Sequence, residues 1–186
     1  MPRSIVATAA ALLLGGVAWA AGVNLWLNVP FVKQQRDGCG AAAIAMVMQY
    51  WQLHGRQPAN SESDQEQILR ALYSRSAHGI YAAAMVEYFE QHGYRAFAFA
   101  GRQSDLEREL ANGRPLIAAL NASSGPGSAH DLHYVVVVGL DEPGQMVLLN
   151  DPAQRKLLKQ DESTFARQWK ATGDWTLLAV PKEPSR

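Results

Sequence analysis

The residue that could do chemistry in this chain is Cys39, the single cysteine among 186 residues. It lies between Gly38 and Gly40, directly before an apolar stretch (41–53) that is rich in strong helix formers. At a helix start, unpaired backbone N–H groups and the helix dipole favour a negative charge, which is the reactive state of a thiol. The sequence therefore predicts a nucleophile, although a lone cysteine is more often a small buried hydrophobic residue.

Two later residues could complete a nucleophilic site. His133 opens an unbroken apolar strand, and Asp151 directly follows the next apolar strand. A thiol, an imidazole and a carboxylate in this chain order are the parts of a papain-type site, in which the histidine is the base and the acid orients it. Taken singly, His133 could be a strand-end histidine and Asp151 a turn former before Pro152.

The spacing of the two strands tests whether His133 can meet Asp151. Residues 133–140 and 146–150 flank the turn signal Asp141-Glu142-Pro143-Gly144 and should form an antiparallel hairpin. If Gly139 faces Gln145, His133 directly faces Asp151 on the same side of the sheet. A register that differs by one residue would put them on opposite faces.

Four segments carry a resemblance to a known family. The chain resembles the peptidase C39-like family, which comprises papain-fold cysteine peptidases related to the double-glycine leader peptidases of bacteriocin exporters. The resemblance covers roughly residues 28 to 180. The four segments that carry it are Val29-Pro30-Phe31-Val32-Lys33-Gln34, Cys39-Gly40-Ala41-Ala42, residues 133–139 and Asn150-Asp151-Pro152.

The resemblance implies a role for four residues. These are Gln34 as an oxyanion-hole donor, Cys39 as the nucleophile, His133 as the base and Asp151 as its orienter. Gln34 is preferred to its neighbour Gln35 because the family spaces its glutamine five residues before the cysteine. The chain departs from the family in two places: Ala41 stands where a proline is usual, and Gly38 where exporter-fused members usually carry an acidic residue.

A metal site is the alternative for the histidines. His130 and His133 are three residues apart, and Cys39 could be a third ligand. This spacing suits a helix better than a loop, and a second cysteine is lacking. We expect no metal and no cofactor.

Residues 1–20 have the pattern of a signal peptide. Arg3 supplies a positive flank, residues 5–17 are uncharged, and Ala18-Trp19-Ala20 matches a cleavage site, so that the mature chain (21–186) starts near Ala21. An uncleaved membrane anchor is the alternative, since the uncharged run continues through Leu27. Both interpretations place the domain outside the cytoplasm, either periplasmic or secreted or anchored facing outward.

The rest of the chain predicts one α+β domain with a papain-like fold, in which N-terminal helices pack on a mostly antiparallel sheet. A content of 48% hydrophobic and 18% charged residues is globular, and the formal net charge of zero argues against a nucleic-acid partner. Helices are predicted at 41–53, 63–73 (capping box Ser63-x-x-Glu66), 80–92, 104–112 (Ser104-x-x-Glu107) and 164–170. Strands are predicted at 94–100, 114–120, 133–140, 146–149 and 175–180, with a flexible loop at 121–132.

The sequence therefore predicts an exported cysteine peptidase that hydrolyses peptide bonds through an acyl-enzyme. The expected partner is a peptide or protein substrate, such as a leader sequence, and a membrane only if the N-terminal segment is uncleaved. Two alternatives stay open: a peptide-binding module without turnover, and a thiol acyltransferase or deamidase. Double-glycine cleavage rests on family analogy alone.

Overall fold

The computed structural model describes residues 24–59, 61–121 and 132–183, which form helices and strands in a mixed order. The helices are α1 (Cys39–Leu53), α2 (Gln65–Leu72), α3 (Ala82–Gln91), α4 (Gln103–Ala111) and α5 (Glu162–Lys170). The strands are β1 (Asn24–Trp26), β2 (Tyr94–Ala100), β3 (Leu116–Asn121), β4 (Leu132–Asp141), β5 (Met146–Asn150), β6 (Leu158–Asp161) and β7 (Trp175–Pro181).

The strands form one sheet of seven, in the order β2-β7-β3-β4-β5-β6, with β1 paired to β4 outside this path. Every pairing is antiparallel. The prediction of an α+β fold with a mostly antiparallel sheet is confirmed. The strand that begins next to His133 is central, because β4 pairs with β1, β3 and β5.

Helix α1 is the core helix. It packs on the sheet, as expected for the N-terminal helices, and contacts β4 and β3 there. Most of its residues are small or unbranched apolar side chains, and eleven of its fifteen residues are buried. Its polar atoms also find partners: the Trp51 indole N–H donates to the Ala179 carbonyl at 3.0 Å, and the Tyr50 hydroxyl donates to the Gly113 carbonyl at 2.9 Å. The helix that begins at Cys39 is therefore fixed along its length.

The β4–β5 hairpin contains a bulge, which the expected register did not include. Near the turn, Asp141 pairs with Met146 and Gly139 with Leu148, and after a shift at Val138 the pairing resumes with Val137 opposite Leu149. The pairing of Gly139 with Gln145 is therefore wrong, and His133 does not directly face Asp151. The extra residue also serves β1, since the Leu27 N–H donates to the Val138 carbonyl at 2.8 Å.

Two helices begin at other caps than the sequence predicts. Helix α2 starts after Asp64, whose carboxylate accepts the Gln67 N–H at 2.9 Å, so the capping box at Ser63 is wrong. Helix α4 starts at Gln103, not after Ser104, and the Asp105 carboxylate accepts the Arg102 N–H at 2.9 Å. In α2 the aspartate is itself the N-cap, whereas in α4 Asp105 is the third helical residue and accepts the N–H of the N-cap residue Arg102.

The ends of the predicted 121–132 loop belong to strands, since Asn121 closes β3 and Leu132 opens β4. The predicted mobility of residues 122–131 lies outside the described residues, as do the signal-peptide assignment and its cleavage after Ala20. Within the described part of the chain, no helix is long and apolar enough to cross a membrane.

Candidate active site

The local backbone places Cys39 at the first position of α1. Asp37 has a φ of 55°, and the Gly38 N–H donates to the Gln35 carbonyl at 3.0 Å, which closes a tight turn before the helix. A Cβ on Gly40 would lie only 3.2 Å from the Ile80 Cβ, so a glycine permits this close packing. Cys39 itself is a free, half-buried thiol that lines a cleft.

His133 and Asp151 meet despite the shifted register. His133 Nε2 lies 2.7 Å from Asp151 Oδ1. Continuing the ladder by one pair beyond Val136 and Asn150 places Asp151 opposite Val135, two residues from His133 and on the same face. If Val138 were instead paired as a regular member of the ladder, Asp151 would be opposite Val136 and on the other face. The bulge therefore places the carboxylate on the same face as the imidazole. Bulges next to active sites often redirect a side chain in this way.

The carboxylate of Asp151 is held from several directions. It is 4% exposed, Oδ1 also accepts the Ala153 N–H at 2.9 Å, and Oδ2 accepts the Gln154 side-chain amide at 2.6 Å. Burial alone would raise the pKa of Asp151, but the hydrogen bond and the charge of His133, together with these donors, lower it. Asp151 is therefore ionised at neutral pH and fixed in orientation.

The imidazole of His133 is tuned by the two groups around it. Burial by itself would lower its pKa, but the hydrogen bond to Asp151, the charge of that carboxylate and the neighbouring Cys39 thiol raise the pKa of His133 to about 9. Since Nε2 is occupied by the carboxylate, Nδ1 is the nitrogen left for the thiol. A histidine that stays protonated at neutral pH can balance the charge of a thiolate beside it.

Gln34 is held beside this pair by its backbone. Its N–H donates to the Pro152 carbonyl at 2.9 Å, which ties the segment before α1 to the turn that carries Asp151. Gln34 lines the same cleft, and its buried Oε1 has no hydrogen-bond partner in the described part of the chain. Gln35 points elsewhere: it is exposed, and its amide donates to Glu66 at 2.9 Å.

All four residues singled out from the sequence thus line one cleft of about 1200 Å³. The lining also includes the 76–82 segment and, past Asp151, residues of β6 and α5. For the metal alternative, no cluster of three potential ligands exists within the described residues, and His130 lies outside them.

Two residues that support the site were not predicted from the sequence. One is Gln154, described above, whose type gives no signal of this role. The other is Asn150, which is fully buried: its Nδ2 donates to the Val29 and Pro30 carbonyls at 3.1 and 3.3 Å, and its Oδ1 accepts the Leu157 N–H at 3.1 Å. Asn150 therefore joins the entry to the Gln34 segment to the turn after β5. Its position in the Asn-Asp-Pro motif is the signal that could have indicated it.

Solved structures with this fold include several peptidases. A C39-like peptidase of Bacillus anthracis is 18% identical, with a TM-score of 0.69, and the match covers 88% of this chain and 100% of that one. A double glycine motif protease from an AMS/PCAT transporter, solved in complex with its leader peptide, is 19% identical with a TM-score of 0.61 (87% and 100% covered). The peptidase domain of Streptococcus ComA, a bifunctional ABC transporter of a quorum-sensing pathway, is also 19% identical with a TM-score of 0.61 (83% and 100%).

The fold is therefore that of C39 and papain-like cysteine peptidases. No curated protein matches the chain. The model of the Peptidase_C39 like family matches residues 26–176, a range that includes Gln34, Cys39, His133 and Asp151. Because that match spans most of the sequence, this chain belongs to the Peptidase_C39 like family and is a cysteine peptidase.

Proposed function

We propose that the protein is an exported peptidase that hydrolyses peptide bonds through an acyl-enzyme on Cys39. The observation that carries this proposal is the 2.7 Å contact between His133 and Asp151, in the cleft that Cys39 also lines. A nucleophile, a base and a group that orients the base are the parts that such chemistry needs. Their common cleft is open to a substrate.

The reaction has two stages. The Cys39 thiolate attacks the carbonyl carbon and forms a C–S bond, while the carbonyl electron pair moves to the oxygen. The intermediate collapses, the C–N bond breaks, and the leaving amine takes a proton from His133. A water molecule then gives a proton to His133 and attacks the thioester, and breaking of the C–S bond releases the acid and restores the thiolate.

The oxyanion that forms in each stage needs donors. The backbone N–H of Cys39 belongs to the first turn of α1, where N–H groups have no partner within the helix. We assign the second donor to the Gln34 side-chain amide, which lines the cleft and makes no side-chain hydrogen bond among the described residues. Such preorganised donors stabilise charge only as it develops.

The substrate class we propose is a peptide, with a leader sequence as the first candidate. The support is that a neighbour of the same fold was solved with its leader peptide bound. The 1200 Å³ cleft extends on both sides of Cys39, which suits an extended chain.

Covalent labelling tests the proposed nucleophile. A set of peptide aldehydes and vinyl sulfones should modify the parent protein at Cys39, while Cys39→Ala should stay unlabelled, and the parent should cleave members of a peptide library. If the parent binds peptides but neither reacts nor cleaves, the protein is a binding module. If labelling occurs but products form only with an added amine, the protein is an acyltransferase.

Export rests on residues 1–20 and is tested separately. We expect the mature chain to begin near Ala21 in a periplasmic or secreted fraction, and N-terminal sequencing measures this. Intact Met1 in membranes would favour the anchor, whereas recovery in the cytosol would contradict both interpretations.

A further inference from the structure

The cleft continues beyond Asp151 into a part that the proposed chemistry does not use. Its walls there are β6 and α5, with Leu158, Lys159 and Gln160 from the strand and Thr164 and Gln168 from the helix. Lys159 is exposed, and the other four side chains are half-buried. We call this part of the cleft the amide trough. None of its side chains has a role in the proposed reaction.

The sheet register places the trough on the face of the sheet that carries the site. Leu149 pairs with Leu158 and Val147 pairs with Gln160. Residues two apart share a face, so Asp151, Leu149 and Val147 lie in one row, and Leu158 and Gln160 lie beside that row. Val147 is four residues from Asp151, so Gln160 lies about 13 Å along the strand from Asp151. An extended peptide covers that distance with about four residues.

The two glutamines form a pair with a defined hydrogen-bonding pattern. Gln160 Nε2 donates to Gln168 Oε1 at 2.6 Å. Among the described residues, neither side-chain amide makes another hydrogen bond. Each amide has both donor and acceptor groups. The pair therefore leaves Gln160 Oε1 as a free acceptor and N–H groups on Gln168 Nε2 as free donors, and exchanging O and N in both amides again leaves one free oxygen and one free NH2 group.

Lys159 is the charged residue in the lining of this part of the cleft. It pairs with Leu148, which places its side chain on the opposite face of the strand from Gln160, and its ammonium binds the Asp141 carboxylate at 3.3 Å. Thr164 adds a hydroxyl. The donor and acceptor groups that the two glutamines leave free match the C=O and N–H of a peptide backbone. Because the lysine charge is already paired with Asp141 and the glutamines are neutral, the pair recognises the backbone and not side-chain charge.

The position of the trough indicates which half of a substrate it would bind. The acyl half stays on Cys39, on whose side Ile80 and the 76–82 segment lie. The leaving amine takes its proton from His133, and the trough begins on the Asp151 side of that imidazole. The trough is therefore on the leaving-group side.

We infer that Gln160 and Gln168 form a subsite that binds the peptide backbone of the leaving segment, about four residues after the cleaved bond. This inference rests on the proposed peptidase function and adds a length requirement to it. A substrate must carry several residues on its leaving side to be cleaved well, whatever their side chains are. A single amino acid or a dye as leaving group is a poor substrate.

A peptide series measures this requirement. The acyl side is fixed to the sequence cleaved best in a proteome-derived peptide library, and the leaving side is one to six alanines with an amidated end. The kcat/KM of the parent should rise by roughly threefold to tenfold when the leaving side grows from two to five residues, the gain expected from one or two hydrogen bonds. The double variant Gln160→Met, Gln168→Met keeps side-chain volume and should lose this step, while its rate on the shortest peptides stays that of the parent.

Two controls separate backbone binding from a general effect. Gln103→Met, a half-buried glutamine on α4 outside the cleft, should keep the whole length dependence. N-methylation of single leaving-side residues, from the third to the fifth, removes one backbone donor at a time, and one position should lower kcat/KM in the parent but not in the double variant. A rate independent of length in the parent, or a step retained in the double variant, overturns the subsite alone. Failure of the parent to cleave any library peptide overturns the proposed function as well.

Discussion

Changing Asp151 to asparagine tests the electrostatics of the site directly. The substitution keeps an oxygen that can accept the His133 N–H but removes the negative charge. In the parent, burial opposes protonation of His133, yet Asp151 and Cys39 raise its pKa from 6.5 to about 9, which corresponds to about 3 kcal/mol in favour of the imidazolium. Without the carboxylate charge, we expect the pKa of His133 to fall toward its ordinary value of 6.5, because burial then opposes protonation and only Cys39 offsets it.

The expected loss of activity depends on pH. At pH 7.5 a group with a pKa of about 9 is almost fully protonated, whereas one with a pKa of about 6.5 is about one-tenth protonated. Asp151→Asn should therefore lose about tenfold in kcat/KM at that pH and regain activity as the pH falls. We would measure kcat/KM and the rate of Cys39 alkylation by iodoacetamide from about pH 5 to about pH 10. The basic limb of each profile, where the rate falls at high pH, gives the pKa at which His133 loses its proton.

A matched control is Asp37→Asn, since Asp37 lines the same cleft but its carboxylate accepts from Tyr73 and not from His133. Its basic limb should stay near that of the parent. If the basic limb of Asp151→Asn also stays near pH 9, the carboxylate charge does not sustain the imidazolium and the reasoning is wrong. If the basic limb shifts by the same amount in both variants, the pKa of His133 depends on the total negative charge of the cleft and not on Asp151 in particular.

Three further predictions concern rate and stability. Cys39→Ala should abolish turnover while the unfolding midpoint stays close to the parent value, and full activity in this variant would end the peptidase hypothesis. Gln34→Ala should lower kcat by about 10²–10³ with little change in KM, because an oxyanion donor acts on the transition state. The kcat of Gln35→Ala should stay within a few-fold of the parent value. The reverse result would assign the oxyanion role to Gln35. Gly139→Ala should cost about 1–3 kcal/mol in urea denaturation, because its Cβ would overlap the backbone of β1, while Gly79→Ala, where a Cβ meets nothing closer than 3.7 Å, should cost less.

Stability should also depend on pH through His133. A pKa that is raised in the folded state stabilises the protein fully below the unfolded value of 6.5, and this stabilisation is lost as the pH rises through about 9. The free energy of unfolding of the parent should therefore fall between these values. The fall should be smaller in Asp151→Asn, and an equal fall in both proteins would assign it to other groups.

The sequence was most informative where apolar residues are continuous. Helix α1 and strand β4 are buried along almost their whole length, so their continuous apolar residues predicted both elements. Strand β6 was missed because Leu158-Lys159-Gln160-Asp161 has a single apolar residue and lies at the edge of the sheet, paired only to β5. Strand β1 was missed because three residues are too few to show a pattern, and its pairing is set by β4.

The contact between His133 and Asp151 shows what a sequence can and cannot determine about the site. The expectation that they meet agrees with the 2.7 Å distance, but the expected geometry was wrong. The bulge at Val138 carries no local signal in a run of four valines, because it depends on how the hairpin pairs with β1 as well as β5. The roles of Gln34, Cys39, His133 and Asp151 remain predictions until the variants are measured.

The bulge has a consequence for insertions and deletions in this strand. Adding or removing one residue in a paired strand moves all the side chains beyond it to the other face of the sheet. The bulge at Val138 already accommodates one such extra residue. Removing Val138 would leave every remaining β4–β5 pair as it is, with His133 and Asp151 still on one face. Removing Val135 or Val136, which lie between the bulge and His133, would turn the imidazole to the other face unless the neighbouring residues slipped by one. We therefore expect deletion of Val138 to preserve the contact between His133 and Asp151, whereas deletion of Val136 should break that contact and abolish peptidase activity.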